Sequence, residues 1–394
     1  MKRRLVVASV IILFLIFLVL LYIIFRVGDI RPAIFPPKED LTESIENYKV
    51  GDQVPFPLQI ASSFKIGVFA KDLDKARDLE FSPGNNLLVS DPSSGKVVAL
   101  PDKNKDGRAD IVKEIVTGLN KPHGLAFYRS YFYVAELTRI SRYKWDEQSL
   151  TAMFDRELFA VPYNGGHSTR SLVIDKDGNL FVTIGSSCNV CVEKHDWLAA
   201  VVVSDVEGRD PRPFAKGLRN SVFIKIHPVT GELWGTEMGR DLLGDNIPPE
   251  EINIIRSGGD YGWPYCFDEK IHDDNFDSKR EHSCSKTTSP IWKMQAHSAP
   301  LGLAPIDSKQ FPSEWQGDLL VSFHGSWNRS VPTGYKIVRL NVEGNKIIGQ
   351  EDFLTGFLQG SSTLGRPVDL EFDKDGSLYI SDDKVGAVYK VSKQ

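Results

Sequence analysis

Cysteine and methionine are scarce, four of each in the whole chain. The only Cys-x-x-Cys, Cys188 to Cys191, has no second copy and no His-x-x-x-His near it, so a zinc site would lack its other half. Basic residues are not in excess: 47 Lys and Arg stand against 52 Asp and Glu, a net charge of -5. No basic stripe runs through the chain, and nucleic acid is not an expected partner. Helical periodicity is nearly absent beyond the N-terminus, which argues against bundles and parallel α/β folds. No small-x-small cleavage site follows the one long apolar run, Leu5 to Phe25, which ends in Arg26-Val27-Gly28-Asp29.

That run has its own meaning. Its roughly 21 residues are enough to cross a hydrocarbon core. With Lys2-Arg3-Arg4 before it, it reads as an uncleaved single-pass transmembrane helix, N-terminus in the cytoplasm and body outside. The expected plan is a basic tip and anchor over 1–26, a Pro-rich tether over 27–60, and one domain over 61–394 in the periplasm or at the cell surface. In such a compartment an even count of cysteines predicts two disulfides, most simply Cys188–Cys191 and Cys266–Cys284, the second tying down a surface insertion over 265–290. That insertion could also be a lid or a contact for an electron acceptor.

What fills the body is repetition. Arg77-Asp78-Leu79-Glu80-Phe81 leads through a turn to Leu87-Leu88-Val89-Ser90-Asp91. Val368-Asp369-Leu370-Glu371-Phe372 leads in the same register to Leu378-Tyr379-Ile380-Ser381-Asp382. Similar units begin near Gly124, Arg170, Val222 and Leu301, mostly about 45–50 residues apart. Short strands repeated at this period predict an all-β chain closed into a six-bladed β-propeller.

Polar residues recur just before the first strand of successive units. These are His123, then His167 and Arg170, then Arg219 and Asn220, then His297, then Arg366. Equivalent positions in a propeller face one mouth of the axis, so three histidines and three arginines are expected around one cup. Arginine stays charged and pairs bidentately with carboxylates, so the ring predicts a polyanionic ligand. A histidine held neutral by such neighbours is a candidate general base. Separately, Asp102, Asn104, Asp106 and Asp110 occupy positions 1, 3, 5 and 9 of a calcium-type loop with Gly107 at position 6, but Lys113 stands where the bidentate Glu belongs. A calcium loop and a solvated turn both remain open there. Asp175–Gly178 and Asp373–Gly376 read as plain hairpin turns.

The stretches Gly185-Ser186-Ser187-Cys188-Asn189-Val190-Cys191, Thr236-Glu237-Met238-Gly239-Arg240-Asp241, Gly258-Gly259-Asp260-Tyr261-Gly262-Trp263-Pro264 and His324-Gly325-Ser326-Trp327-Asn328-Arg329-Ser330 resemble the pyrroloquinoline-quinone (PQQ) sugar dehydrogenases of the soluble glucose/sorbosone type. Their order matches too, and they look closest to the L-sorbosone dehydrogenase branch. The resemblance implies a PQQ- and calcium-dependent oxidoreductase acting on an aldose or sugar aldehyde and passing electrons to a respiratory acceptor. It implies His167 as general base, with Arg219 and His123 beside the substrate. Arg219, Asn220, Arg170, Arg329, Arg366 and His297 would hold the quinone. Glu237, Gly239 and Arg240 would form the calcium loop. Two departures bear on the substrate: Gly166 replaces a carboxylate before the catalytic histidine, and His123 replaces a glutamine. A lactonase-like hydrolase and a non-catalytic binding ectodomain are the competing readings.

Overall fold

The computed structural model describes residues 11–19 and 56–394. Residues 11–19 are helical, with apolar side chains exposed. Among the described residues no helix is long and apolar enough to cross a membrane. The rest of the expected anchor and most of the tether lie outside the described residues.

The body is a six-bladed β-propeller, as the repeats predict. Each blade is a four-stranded antiparallel sheet whose first strand lies nearest the axis, with Gly259–Asp260 added in parallel to the third. Those inner strands are Leu79–Phe81, Leu125–Tyr128, Leu172–Ile174, Ile224–Ile226, Pro300–Pro305 and Pro367–Phe372. Each touches the next, and the last returns to the first. Closure is made by chain ends: Phe64–Ala70 pairs antiparallel with Ala387–Lys393, completing the sixth blade with the most N-terminal full strand. Gln59–Ile60 adds an outer strand to the fifth blade in the same way.

The core is divided among the blade interfaces. Six hydrophobic clusters fill six gaps between neighbours; the one between blades one and two, for example, packs Leu88, Val97 and Ala99 against Leu125, Phe132 and Tyr143. Strand alternation supplies a second apolar face to each sheet, which is what a radial stack of sheets requires. The repeated aspartates stitch blades together. Asp369 accepts a hydrogen bond from the Leu79 amide at 2.8 Å, and Asp78, its counterpart one blade on, accepts from Leu125 at 3.2 Å.

Both disulfides form as expected, and among the described residues no cysteine is free. Cys188, Cys191 and Glu193 lie close together, but the sulfurs are bonded to each other and Glu193 is bound to Ser187, which rules zinc out there. In Asp175–Gly178 the aspartate carboxylate accepts from the amides of Asp177 and Asn179, an ordinary Asx turn.

The closing strand is held by Phe64, buried against Phe311 and Phe353 with ring centroids 4.7 and 5.7 Å away. Phe64→Ala is expected to lower unfolding free energy by about 3–5 kcal/mol. Chemical denaturation measures this, and a loss under about 1 kcal/mol would show closure to be dispensable.

Candidate active site

The loops before the inner strands enclose a cavity of 430 Å³ at one end of the axis. His167, Arg219, Asn220, Gly239, His297 and Arg366 all line it, joined by Arg77, Asp241, Glu250, His324, Trp327 and Asn328. Residues from distant parts of the chain converge there because each inner strand starts at this mouth.

His167 has a defined orientation. Its Nδ1 lies 3.0 Å from the Ser186 carbonyl and 3.0 Å from the Ser186 hydroxyl. Donation from Nδ1 to the carbonyl makes Nε2 the lone-pair nitrogen, and the ring lines the cavity. Backbone has thus taken the orienting role that a carboxylate at position 166 would fill. Gly166 itself follows from this contact: it sits at φ +68°, and a Cβ there would lie 2.4 Å from the Ser187 carbonyl carbon. Gly185 is required equally, since a Cβ on it would lie 2.6 Å from the His167 Cβ and 2.8 Å from the Asn220 Oδ1. Burial first, then the Arg219 charge, lowers the His167 pKa to about 4. The imidazole is therefore neutral and an acceptor at pH 7.

Arg219 is buried and uses its whole guanidinium. Nε donates to the Asn189 carbonyl at 3.0 Å, Nη1 to the carbonyls of Gly239 and Met238 at 2.8 and 3.3 Å, and Nη2 to Asn189 Oδ1 and Asp241 at 3.0 and 2.8 Å. Asn328 donates to the other Asp241 oxygen at 2.7 Å, while its own Oδ1 is buried with no partner. Across the cavity, Arg77 and His324 share Asp383, each at 2.8 Å, and Arg366 lies over the Tyr335 ring. Burial would raise the Asp383 carboxyl, but His324 and Arg77 outweigh it and hold the group well below its usual range. Glu250 is pushed up to about 8 by burial and by Asp241, so it carries a proton at neutral pH. Three guanidinium groups thus face two paired carboxylates, Asp241 and Asp383, and the mouth has a cationic excess.

Several predicted residues are elsewhere. His123 is not at the cavity; it is buried beside Phe223, with ring centroids 5.1 Å apart, and burial lowers its pKa. Arg170 is fully buried and caps the carbonyls of His167, Thr169 and Pro162, a structural role. Arg329 is on the rim, donating to the carbonyls of Asp245 and Ala296. Arg240 turns away to pair with Asp273 at 2.7 Å and so anchors the disulfide insertion. Glu237 is buried under the cavity, accepting from the Asn220 amide, and burial raises it to about 8. For His123 and Arg170, repeat register sets the backbone position but not which way the side chain leaves it, and the buried Arg170 guanidinium takes the nearest carbonyls. The Asp102 loop is remote from the cavity. Asp102 and Asn104 bond to the loop's own amides, Asp110 accepts from Lys103, and the three aspartates do not gather as a metal-holding group.

Residues that sequence reasoning missed left partial signals. Arg77 stands before its strand as Arg366 does before its own, two residues nearer the repeated aspartate. His324 opens the His-Gly-Ser-Trp-Asn-Arg stretch, and Asp383 follows the repeated Ser-Asp. The Ser186 carbonyl left none, because any residue has one.

A family model described as TrAA12-like matches residues 58–394. The chain belongs to the TrAA12-like family. An uncharacterized protein of Borreliella burgdorferi is 31% identical over 359 residues, covering 86% of this chain and 92% of that protein. A protein of Hypocrea jecorina named pyrroloquinoline quinone-dependent sugar dehydrogenase is 25% identical over 403 residues, covering 86% and 90%. Among solved structures, the iodide structure of Trichoderma reesei Carbohydrate-Active Enzymes Family AA12 has a TM-score of 0.76 at 22% identity, covering 88% of this chain and all of that one, which shows the shared fold. This TrAA12-like propeller is thus of the PQQ-dependent sugar dehydrogenase type, an oxidoreductase, and the resemblance holds at that level. Nothing among the relatives singles out the sorbosone branch.

The depressed His167 pKa sets a testable sign. As pH falls, the unfolded chain takes a proton near 6.5 and the folded ring only near 4, so stability contributed by the neutral ring is complete above 6.5 and is lost toward 4. The His167 imidazole, followed by NMR, is expected to titrate near pH 4 in the cofactor-free propeller; a midpoint near 6.5 would contradict the burial described.

Proposed function

We propose that this chain is a membrane-anchored, extracytoplasmic quinoprotein that oxidises an aldose or sugar aldehyde, with His167 as general base. The observation that carries the reading is the His167 imidazole, neutral, pinned at Nδ1 by backbone, and lining a cavity with a cationic excess. The chemistry of the donor set fits PQQ. Arg77 and Arg366 suit carboxylates and Arg219 adds its charge, the volume suits a small fused-ring molecule, and the unpartnered Asn328 Oδ1 suits a ligand N–H or O–H. Bound there, PQQ would supply the carbonyl that takes a hydride from the substrate carbon. His167 accepts the hydroxyl proton at Nε2. Burial, helped by the Arg219 charge, keeps that imidazole unprotonated beforehand, and Trp327, half exposed on the cavity lip, offers an apolar face to a sugar ring.

Calcium belongs to the same proposal. The chain's own oxygens for it are the Gly239 carbonyl and the Asp241 carboxylate, both now accepting from Arg219. Calcium takes about 6–8 oxygens, so this chain alone supplies too few to retain it. Metal content after gel filtration is expected to be near zero for protein alone and to rise only with PQQ present; firm retention by the quinone-free protein would remove this role.

The anchor supports an extracytoplasmic body, and so do the two disulfides. A respiratory carrier is the proposed electron acceptor. A lactonase-like metal site is disfavoured because the cavity is lined mainly by arginine and histidine, with Asp241 and the protonated Glu250 as its carboxyl groups.

The deciding experiment is an absorbance titration of the purified body with PQQ, then dye reduction with aldoses and sugar aldehydes. His167→Ala should lower turnover by about 10²–10⁴-fold and leave quinone binding largely intact. An unchanged rate would take His167 out of the chemistry, and absence of quinone binding would end the proposal.

A further inference from the structure

Two of the five N–H groups of Arg219 end on one residue, Asn189. Asn189 does more than that. Its Oδ1 also accepts from the Asp241 amide at 2.8 Å, its Nδ2 donates to the Asp241 carbonyl at 3.1 Å, and its carbonyl accepts from Trp263 Nε1 at 3.3 Å. Asn189 therefore fixes both members of the Arg219–Asp241 ion pair. It lies inside the four-residue ring that the Cys188–Cys191 disulfide closes. Closing so short a ring removes most of the backbone freedom that would otherwise let Asn189 turn away. The same segment reaches the base. Ser186, whose carbonyl orients His167, donates its hydroxyl to the Cys188 carbonyl at 2.7 Å. Ser187 is tied through its amide and hydroxyl to Glu193, at 2.6 and 2.7 Å.

We propose that Asn189 is the positioning residue for Arg219, and that the Cys188–Cys191 ring holds it in place. A guanidinium that loses the Asn189 Oδ1 acceptor, and the Asn189 carbonyl as well once the ring opens, swings toward other partners, and its charge leaves both His167 and the ligand cavity. Reduction of the disulfide then weakens binding of an anionic ligand without touching any group in contact with it. The ligand half of this inference rests on the quinone reading above. The positioning half does not.

The test is a double-mutant cycle over Asn189→Ala and Arg219→Ala, with a Cys188→Ser/Cys191→Ser variant alongside, each checked for wild-type melting. The first readout is the His167 imidazole titration by NMR in quinone-free protein. Both single variants are expected to raise its midpoint, and the double variant to add nothing beyond Arg219→Ala. The second readout is the dissociation constant for PQQ by absorbance, expected to weaken about tenfold or more in Asn189→Ala and again to be non-additive. If Arg219→Ala moves the midpoint and Asn189→Ala does not, or if the effects add, the positioning role is overturned. Wild-type behaviour of the cysteine-pair variant overturns the role of the ring. That variant also carries the comparison should Asn189→Ala fail to fold. A wild-type protein that binds no quinone, with the NMR shifts as expected, sinks the functional reading and leaves the positioning role standing.

Discussion

The pairing of Phe64–Ala70 with Ala387–Lys393 is the constraint on which the rest depends. Six sheets stacked in a row would leave an apolar face at each end. The closing strand ties the start of the body into the sixth blade, and the sixth blade buries its face against the first, which turns the stack into a ring. Only then do the six inner strands share an axis, and only then do loops hundreds of residues apart meet. Arg77 and Asp383 are separated by 306 residues and bonded at 2.8 Å, across the junction where the ring closes. The cavity is thus a product of closure, and one of its walls is the seam.

A buried cationic wall needs acceptors, and the chain provides them mainly from backbone. Arg219 is satisfied by carbonyls of three residues, one amide oxygen and one carboxylate; the two terminal nitrogens of Arg170 bond to carbonyls alone. Carbonyl acceptors satisfy the N–H groups without cancelling the charge. The guanidinium field therefore survives inside the cavity, where it disfavours a protonated His167 and favours an anionic ligand. Had each arginine been matched by its own carboxylate, the site would be neutral and the imidazole closer to its ordinary basicity.

This explains which parts were legible in the sequence. Blade number was, because alternating strands and Ser-Asp endings repeat in register. Both disulfides were, because four cysteines in two near pairs leave little choice. Convergence of His167, Arg219, Asn220, His297 and Arg366 was, because a ring places equivalent loops at one mouth. The inward or outward turn of each side chain was not. His123 and Arg170 hold the same repeat position as residues that reach the cavity, yet packing on Phe223 and bonds to nearby carbonyls keep them buried instead, where desolvation lowers both pKa values. Nor were the Ser186 carbonyl and Asn189 legible as orienting groups, since one is common to all residues and the other acquires its role from a ring geometry.

The axis carries a second charge pattern that completes the first. Beyond the mouth, the inner strands place Asp78, Glu80, Asp369 and Glu371 around Lys225, which pairs with Glu371 across the channel. Burial first, then mutual repulsion, pushes Glu80 up to about 8, and burial carries Asp369 to about 7 even against Lys225. Near neutral pH burial therefore keeps most of these carboxyls protonated, and Lys225 is paired with Glu371, so the throat carries little net charge, unlike the mouth. An anion attracted by Arg77, Arg219 and Arg366 would find no comparable cationic field deeper in the channel. The cationic excess is thus confined to the mouth, where the loops before the inner strands hold His167.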